Sequence, residues 1–119
     1  MAVGYLLDEN VDVAYRDQLA IRGPWSVRVV GERTVPPKRT TDPDILIWRE
    51  GNDFVLVTNN RRTMPRHLAD HLTAGRHVPG IVMLDDDLGI GGNVEELLLI
   101  AGASLPDEIR DRIIYLPIR

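Results

Sequence analysis

Four consecutive apolar residues, Phe54-Val55-Leu56-Val57, run without a break into Thr58-Asn59-Asn60, and this stretch constrains the fold more than any other. Two of the four are β-branched, with Gly51-Asn52-Asp53 before them and Arg61-Arg62 after. A short unbroken run between turn formers reads as a strand covered on both faces, because a half-exposed strand would alternate. Strands of that kind belong to parallel sheets with helices on either side. Val3 to Leu7 has the same form and ends in Asp8-Glu9-Asn10. As parallel neighbours, the two runs would bring their polar ends to the carboxyl edge of one sheet, where open α/β folds bind ligands.

The rest of the chain alternates in the same way. Asn10 or Asp12 can cap a helix carrying Val11, Ala14, Tyr15 and Leu19, which Gly23-Pro24 ends. Trp25 to Val30 reads as a strand, and Gly31 to Thr41, with Pro36-Pro37, as a loop. Thr41-Asp42-Pro43-Asp44 opens a second helix bearing Ile45, Leu46 and Trp48. After the central strand, Thr63 is expected to cap a helix with Met64, Leu68 and Leu72 on its apolar side and basic residues on the other. Gly80 to Leu84 is a further strand. Asn93, with Glu96 three positions on, is expected to cap the next helix. Ser104 and Asp107 start a short helix before a last strand over Ile113 to Leu116. The pattern predicts an α/β chain with helices in two layers around a mostly parallel sheet of about five strands, connected by right-handed crossovers.

A chain of 119 residues with 44% apolar content has material for one domain with a real core, so residues 1–119 are expected to form a single unit. No cysteine is present, which excludes disulfides, thiolate metal sites and a cysteine nucleophile, and fits a reducing cytoplasm. No run approaches the length of a membrane span, and the amino terminus lacks a signal-peptide pattern. The net charge of −4 argues against nucleic-acid binding through overall charge. The charges are unevenly placed, with nine basic against six acidic residues from Arg28 to Arg76, and three against eight from His77 to Arg119. Ordinary solvated surface accounts for this distribution, as does a basic face beside an acidic pocket.

The polar strand ends carry the candidate chemistry. Asp8 and Glu9 would deliver carboxylates to the sheet edge, and hard divalent cations prefer such oxygens. Mg2+ or Mn2+ held there could activate water against a phosphodiester. Helix capping by Asp8 is the plainer reading of the same residue. Asp42 and Asp44 flank a proline in a first helical turn, where capping and the helix dipole favour acids and explain one of them; the second could turn toward the sheet edge for metal-related work. Asn59 and Asn60 offer amide oxygens without charge. Arg61, Arg62 and Arg66 begin at the same edge and could hold phosphates.

The segments Leu6-Leu7-Asp8-Glu9-Asn10, Thr41-Asp42-Pro43-Asp44-Ile45-Leu46 and Val55 through Pro65 (Val55-Leu56-Val57-Thr58-Asn59-Asn60-Arg61-Arg62-Thr63-Met64-Pro65) resemble the PIN-like family of small single-domain ribonucleases. The resemblance spans nearly the whole chain, and it implies a three-layer α/β/α PIN-like domain that binds Mg2+ or Mn2+ and cuts RNA, often as the toxin of a toxin–antitoxin pair. Residue by residue, Asp8 matches the acid of the first strand and Asp42 the acid opening the second helix. Asn60 stands where the family pattern usually has aspartate. The implied catalytic set is therefore Asp8, Asp42 and Asn60, with Asp44 as a further metal ligand. Glu9, Asn10, Thr58 and Asn59 would stand behind these, and Arg61, Arg62 and Arg66 would meet RNA phosphates. RNA and an antitoxin protein are the implied partners, and a homodimer is compatible with them. The asparagine at position 60 opens a rival reading, a catalytically silent binding module on the same fold.

Three other segments carry competing site patterns. His67 and His71 have the i, i+4 spacing of zinc proteases, but Asp70 stands near them where a glutamate is needed and no third ligand is evident, which leaves them to the exposed basic side. Asp85-Asp86-Asp87 with Glu96 lacks the glycine that a calcium loop needs at Ile90. A receiver-like phosphoacceptor domain would need an aspartate at the end of the third strand, where this chain has Thr58-Asn59-Asn60.

Overall fold

The structure, a computed structural model, describes residues 4–8, 11–22, 26–29, 43, 45, 54–103 and 109–117. Five strands form one sheet: β1 (Gly4–Leu7), β2 (Ser26–Val29), β3 (Phe54–Thr58), β4 (Ile81–Met83) and β5 (Ile113–Tyr115). Every neighbouring pair is parallel, in the order β2-β1-β3-β4-β5. Helices α1 (Ala14–Arg22), α2 (Met64–Thr73) and α3 (Gly89–Ala103) alternate with the strands, and a 3-10 turn (Asp86–Leu88) precedes α3. The α/β architecture expected from the strand runs is present. The order is that of flavodoxin-like sheets, whose switch point lies between β1 and β3, where the chain first reverses its direction of travel across the sheet.

Both faces of the sheet are covered, as the apolar run at Phe54-Val55-Leu56-Val57 requires. Tyr5, Leu7, Val55, Val57 and Val82 pack with Tyr15 and Leu19 of α1 and Val94, Leu97 and Ile100 of α3. On the other face Leu6, Leu56, Ile81 and Met83 pack with Met64 and Leu68 of α2 and with Ile45. The register Leu6↔Leu56↔Ile81 holds residues of one parity in rows, so each strand contributes alternately to the two cores. Leu6, Leu7 and Leu56 are 0% exposed, and burying each contributes about 1.5–3 kcal/mol relative to leaving it in water. Tyr5 is equally buried and donates its hydroxyl to the Leu97 carbonyl at 2.7 Å, tying the sheet to α3.

Two glycines permit the close approaches this packing needs. A Cβ on Gly4 would lie 2.8 Å from the ring of Phe54, its register partner on β3. Gly80 has φ +149, and a Cβ there would lie 2.9 Å from the Ile109 carbonyl oxygen. At the start of α1, Asp12 Oδ1 accepts from Ala14 N–H at 2.9 Å, as expected of a capping residue.

Two expected caps are corrected. Thr63 occupies the position before α2 but makes no side-chain cap bond. Asn60 instead braces Thr63 itself just before the helix, its Oδ1 accepting from Thr63 N–H at 3.3 Å and its Nδ2 donating to Thr63 Oγ1 at 2.7 Å. Asn93 does not begin a helix either, because α3 starts at Gly89 and Asn93 lies within it, 0% exposed. Asp85 caps the preceding 3-10 turn instead, accepting from Asp87 N–H at 3.0 Å. Pro43 and Ile45 are helical, whereas the loop expected over 31–41 and the short helix expected from Ser104 and Asp107 lie largely outside the described residues.

Candidate functional site

Asp8 stands one residue beyond β1, at the switch point, and is 5% exposed. Its N–H continues the ladder to the Val57 carbonyl at 3.0 Å, which holds the backbone in strand geometry to the edge. Thr58, the last residue of β3, is 0% exposed and donates its hydroxyl to Asp8 Oδ2 at 3.1 Å. Thr58 Oγ1 in turn accepts from Asn60 N–H at 3.1 Å. The strand ends thus form a short relay from Asn60 through Thr58 to the Asp8 carboxylate. Burying a carboxylate is costly unless hydrogen bonds hold it, so Thr58 fixes the orientation in which Asp8 can meet a ligand.

The structure brings Asp8, Thr58 and Asn60 together and divides the other candidates. The Asn60 side-chain amide donates to Thr63 Oγ1 at 2.7 Å, while its backbone N–H joins the relay. Asn59 is exposed and lines a depression on the opposite side of the edge. Glu9, Asn10, Asp42 and Asp44 lie outside the described residues. Arg61 Nη2 donates to the Leu84 carbonyl at 3.2 Å, and its guanidinium carbon lies 5.5 Å from the centroid of the Tyr115 ring. Arg62 projects into solvent, and Arg66 stands 4.0 Å from Asp70 on the exposed flank of α2.

Among the described residues no group of three or more His, Asp or Glu side chains could hold a metal ion. Mg2+ is commonly held by as few as one or two carboxylates, with waters and substrate phosphate completing the shell. The buried, oriented Asp8 carboxylate meets the lower end of that requirement.

The depression, of about 220 Å³, lies between β1, β3 and β4 on the α1 and α3 side. Val11, Asp12, Tyr15, Asn59, Asp86 and Ile90 are among its lining residues. Burial raises the Tyr15 hydroxyl above its ordinary pKa, the Asn93 hydrogen bond opposes this, and the Asp86 and Asp12 carboxylates add to the rise. Tyr15 therefore stays protonated and neutral at physiological pH. Asp12 and Asp86 place two carboxylates in the lining of the depression.

Asn93 is the residue that sequence reasoning misread most. Its Nδ2 donates to Tyr15 Oη at 3.0 Å and to the Asp85 carbonyl at 2.8 Å, and its Oδ1 accepts from Asp85 N–H at 3.2 Å. One buried amide thus sets the course of the chain leaving β4. The available signal was an asparagine directly before an apolar helical run, which capping also explains. One of the two histidines is corrected as well. His71 is 7% exposed and its Nε2–H donates to the His77 carbonyl at 3.1 Å, so it is a buried structural group and not part of an exposed basic side.

No protein-family model matches the chain, and no match is found among curated proteins or among solved structures. No helix among the described residues is long and apolar enough to cross a membrane.

Proposed function

We propose that the protein is a Mg2+- or Mn2+-dependent ribonuclease, a single three-layer domain of the PIN-like kind that acts in the cytoplasm as the toxin of a toxin–antitoxin pair. The observation that carries this reading is Asp8, a buried carboxylate at the switch point, oriented by Thr58 at 3.1 Å. When bound, the cation would supply Lewis acidity at the scissile phosphodiester. Asp8 would hold it, Thr58 would keep the carboxylate in place, and Arg62 and Arg66 would meet backbone phosphates. Asp42 and Asp44 are proposed as the further acids on the strength of the motif alone. Cleavage of single-stranded RNA with and without Mn2+, by the protein and by Asp8→Asn, tests the reading. Metal-dependent cleavage lost in Asp8→Asn supports it, and no cleavage in either condition removes it.

A specific observation favours the second reading, a catalytically silent binding module. The Asn60 side chain is bonded twice to Thr63 at the entry to α2, so the position that carries an aspartate in the resembling family has a structural role here. RNA binding without cleavage in the same assay would favour this module.

A further inference from the structure

The two sides of the carboxyl edge differ in character. Asp12 and Asp86 line the depression on the α1 and α3 side. On the α2 side, the register sets Thr58 beside Met83 and Met83 beside Tyr115 in one row, which Asp8 extends through its bond to Thr58. Tyr115 shares its face with Ile113, two residues earlier, which packs against the α2-side core. Tyr115 is nonetheless 45% exposed.

The ring is held from below and from one side. Leu116, 3% exposed, donates its N–H to the Met83 carbonyl at 3.0 Å and so anchors the backbone at Tyr115. Arg61 reaches across from the start of the α2 turn to lie 5.5 Å from the ring centroid, and its bond to the Leu84 carbonyl orients the guanidinium. A half-exposed aromatic ring with an oriented planar cation is the combination on which unpaired bases stack, whereas a phosphate needs only the cation.

We propose that Tyr115 and Arg61 form a platform that stacks an unpaired nucleobase of single-stranded RNA, about 14 Å across the sheet from Asp8, or three strand spacings. The inference takes its substrate class from the ribonuclease reading. Arg62 and Arg66, exposed on the same side of the edge, supply counter-charge for the strand leading to the platform. Stacking of this kind tolerates any base, so the platform would position RNA without selecting sequence.

The test is the anisotropy of a fluorescently labelled single-stranded RNA oligonucleotide titrated with the full chain in EDTA, where no metal-dependent cleavage occurs. Tyr115→Ala and Tyr115→Leu should weaken binding roughly five- to 150-fold, the range of a stacked base, and Tyr115→Trp should retain it. An oligonucleotide with its bases removed should bind the protein and Tyr115→Leu equally. Should Tyr115→Ala fail to fold, the comparison of Leu with Trp decides. Tyr115→Leu binding RNA as tightly as the unmodified protein would overturn the platform and leave Tyr115 as a protein-contact residue, and absence of any RNA binding overturns it too. Tyr115-dependent binding without Mn2+-dependent cleavage removes the nuclease and keeps the platform. Cleavage together with Tyr115-independent binding does the reverse.

Discussion

The side chain of Asn93 closes on the backbone of Asp85 from both sides, accepting from its N–H at 3.2 Å and donating to its carbonyl at 2.8 Å. Asn93 is fully buried, so its loss leaves backbone groups at Asp85 and the Tyr15 hydroxyl without these bonds. Asn93→Ala should cost about 2–4 kcal/mol, the sum of two or three lost buried hydrogen bonds, read from urea unfolding. A loss under 0.5 kcal/mol, the range of ordinary surface changes, would show that the loop after β4 is held elsewhere.

Thr58 touches Asp8 and offers a way to weaken the proposed metal site without removing its carboxylate. Asp8→Asn should abolish Mn2+ binding in calorimetry. Thr58→Val should lower Mn2+ affinity about 10- to 100-fold, as loss of an orienting partner does. Equal affinity in a folded Thr58→Val protein would mean that Asp8 does not hold the ion in the orientation seen.

Asn60→Asp restores the family pattern and adds a negative charge at the start of α2. Considered from sequence, repulsion from Asp8 should lower the stability of the metal-free protein. The contact with Thr63 supplies an opposing term. The Asp carboxylate keeps the acceptor for Thr63 N–H and meets the positive end of the α2 dipole, a gain of about 0.3–1 kcal/mol. Asn60→Ala should instead lose about 1 kcal/mol with its hydrogen bonds to Thr63. Melting temperatures with and without Mn2+ decide: the Asp variant should melt no lower than the parent and rise further on adding Mn2+, and a lower melting point would restore the repulsion argument.

Arg62 and Arg66 are the proposed phosphate contacts that remain once Arg61 is engaged at Tyr115. Replacing both with alanine should weaken RNA binding uniformly across sequences and reduce the salt slope by about 1.4, near 0.7 per lost phosphate contact on a single strand. An unchanged slope would place the RNA backbone elsewhere.

Asp111 gives the fold an acid limit. Burial pushes its pKa upward, but the Val78 N–H and His77 Nδ1, each 2.7 Å from a carboxylate oxygen, hold it below the ordinary value of 3.8. A depressed carboxylate pKa stabilises the fold fully above the unfolded-state value, and that contribution is lost as pH falls through the folded value. The melting-temperature advantage over Asp111→Asn should therefore shrink as pH falls below about 4. Asparagine is the suitable replacement because Asp111 has φ 61, a left-handed conformation that asparagine tolerates. A pH-independent difference between the two proteins would show that Asp111 acts through its backbone alone.

By itself the sequence determined the strands and the faces that cover them. The unbroken run through Val57 had to be buried on both sides, and the structure puts Val55 and Val57 in one core and Leu56 in the other. It also determined that Asp8 would end the first strand, since apolar content stops there. What only the tertiary structure decided was the partnership of polar groups distant in the chain. Thr58 meets Asp8 across 50 residues, Asn93 meets Tyr15 across 78, and Arg61 finds Tyr115 at the far edge of the sheet. Local patterning distinguishes buried from exposed because periodicity reports which face an element turns inward. It cannot distinguish an asparagine that caps from one that clamps, because both place an amide near a helix start, and only the path of the neighbouring strand supplies the backbone groups that a clamp requires.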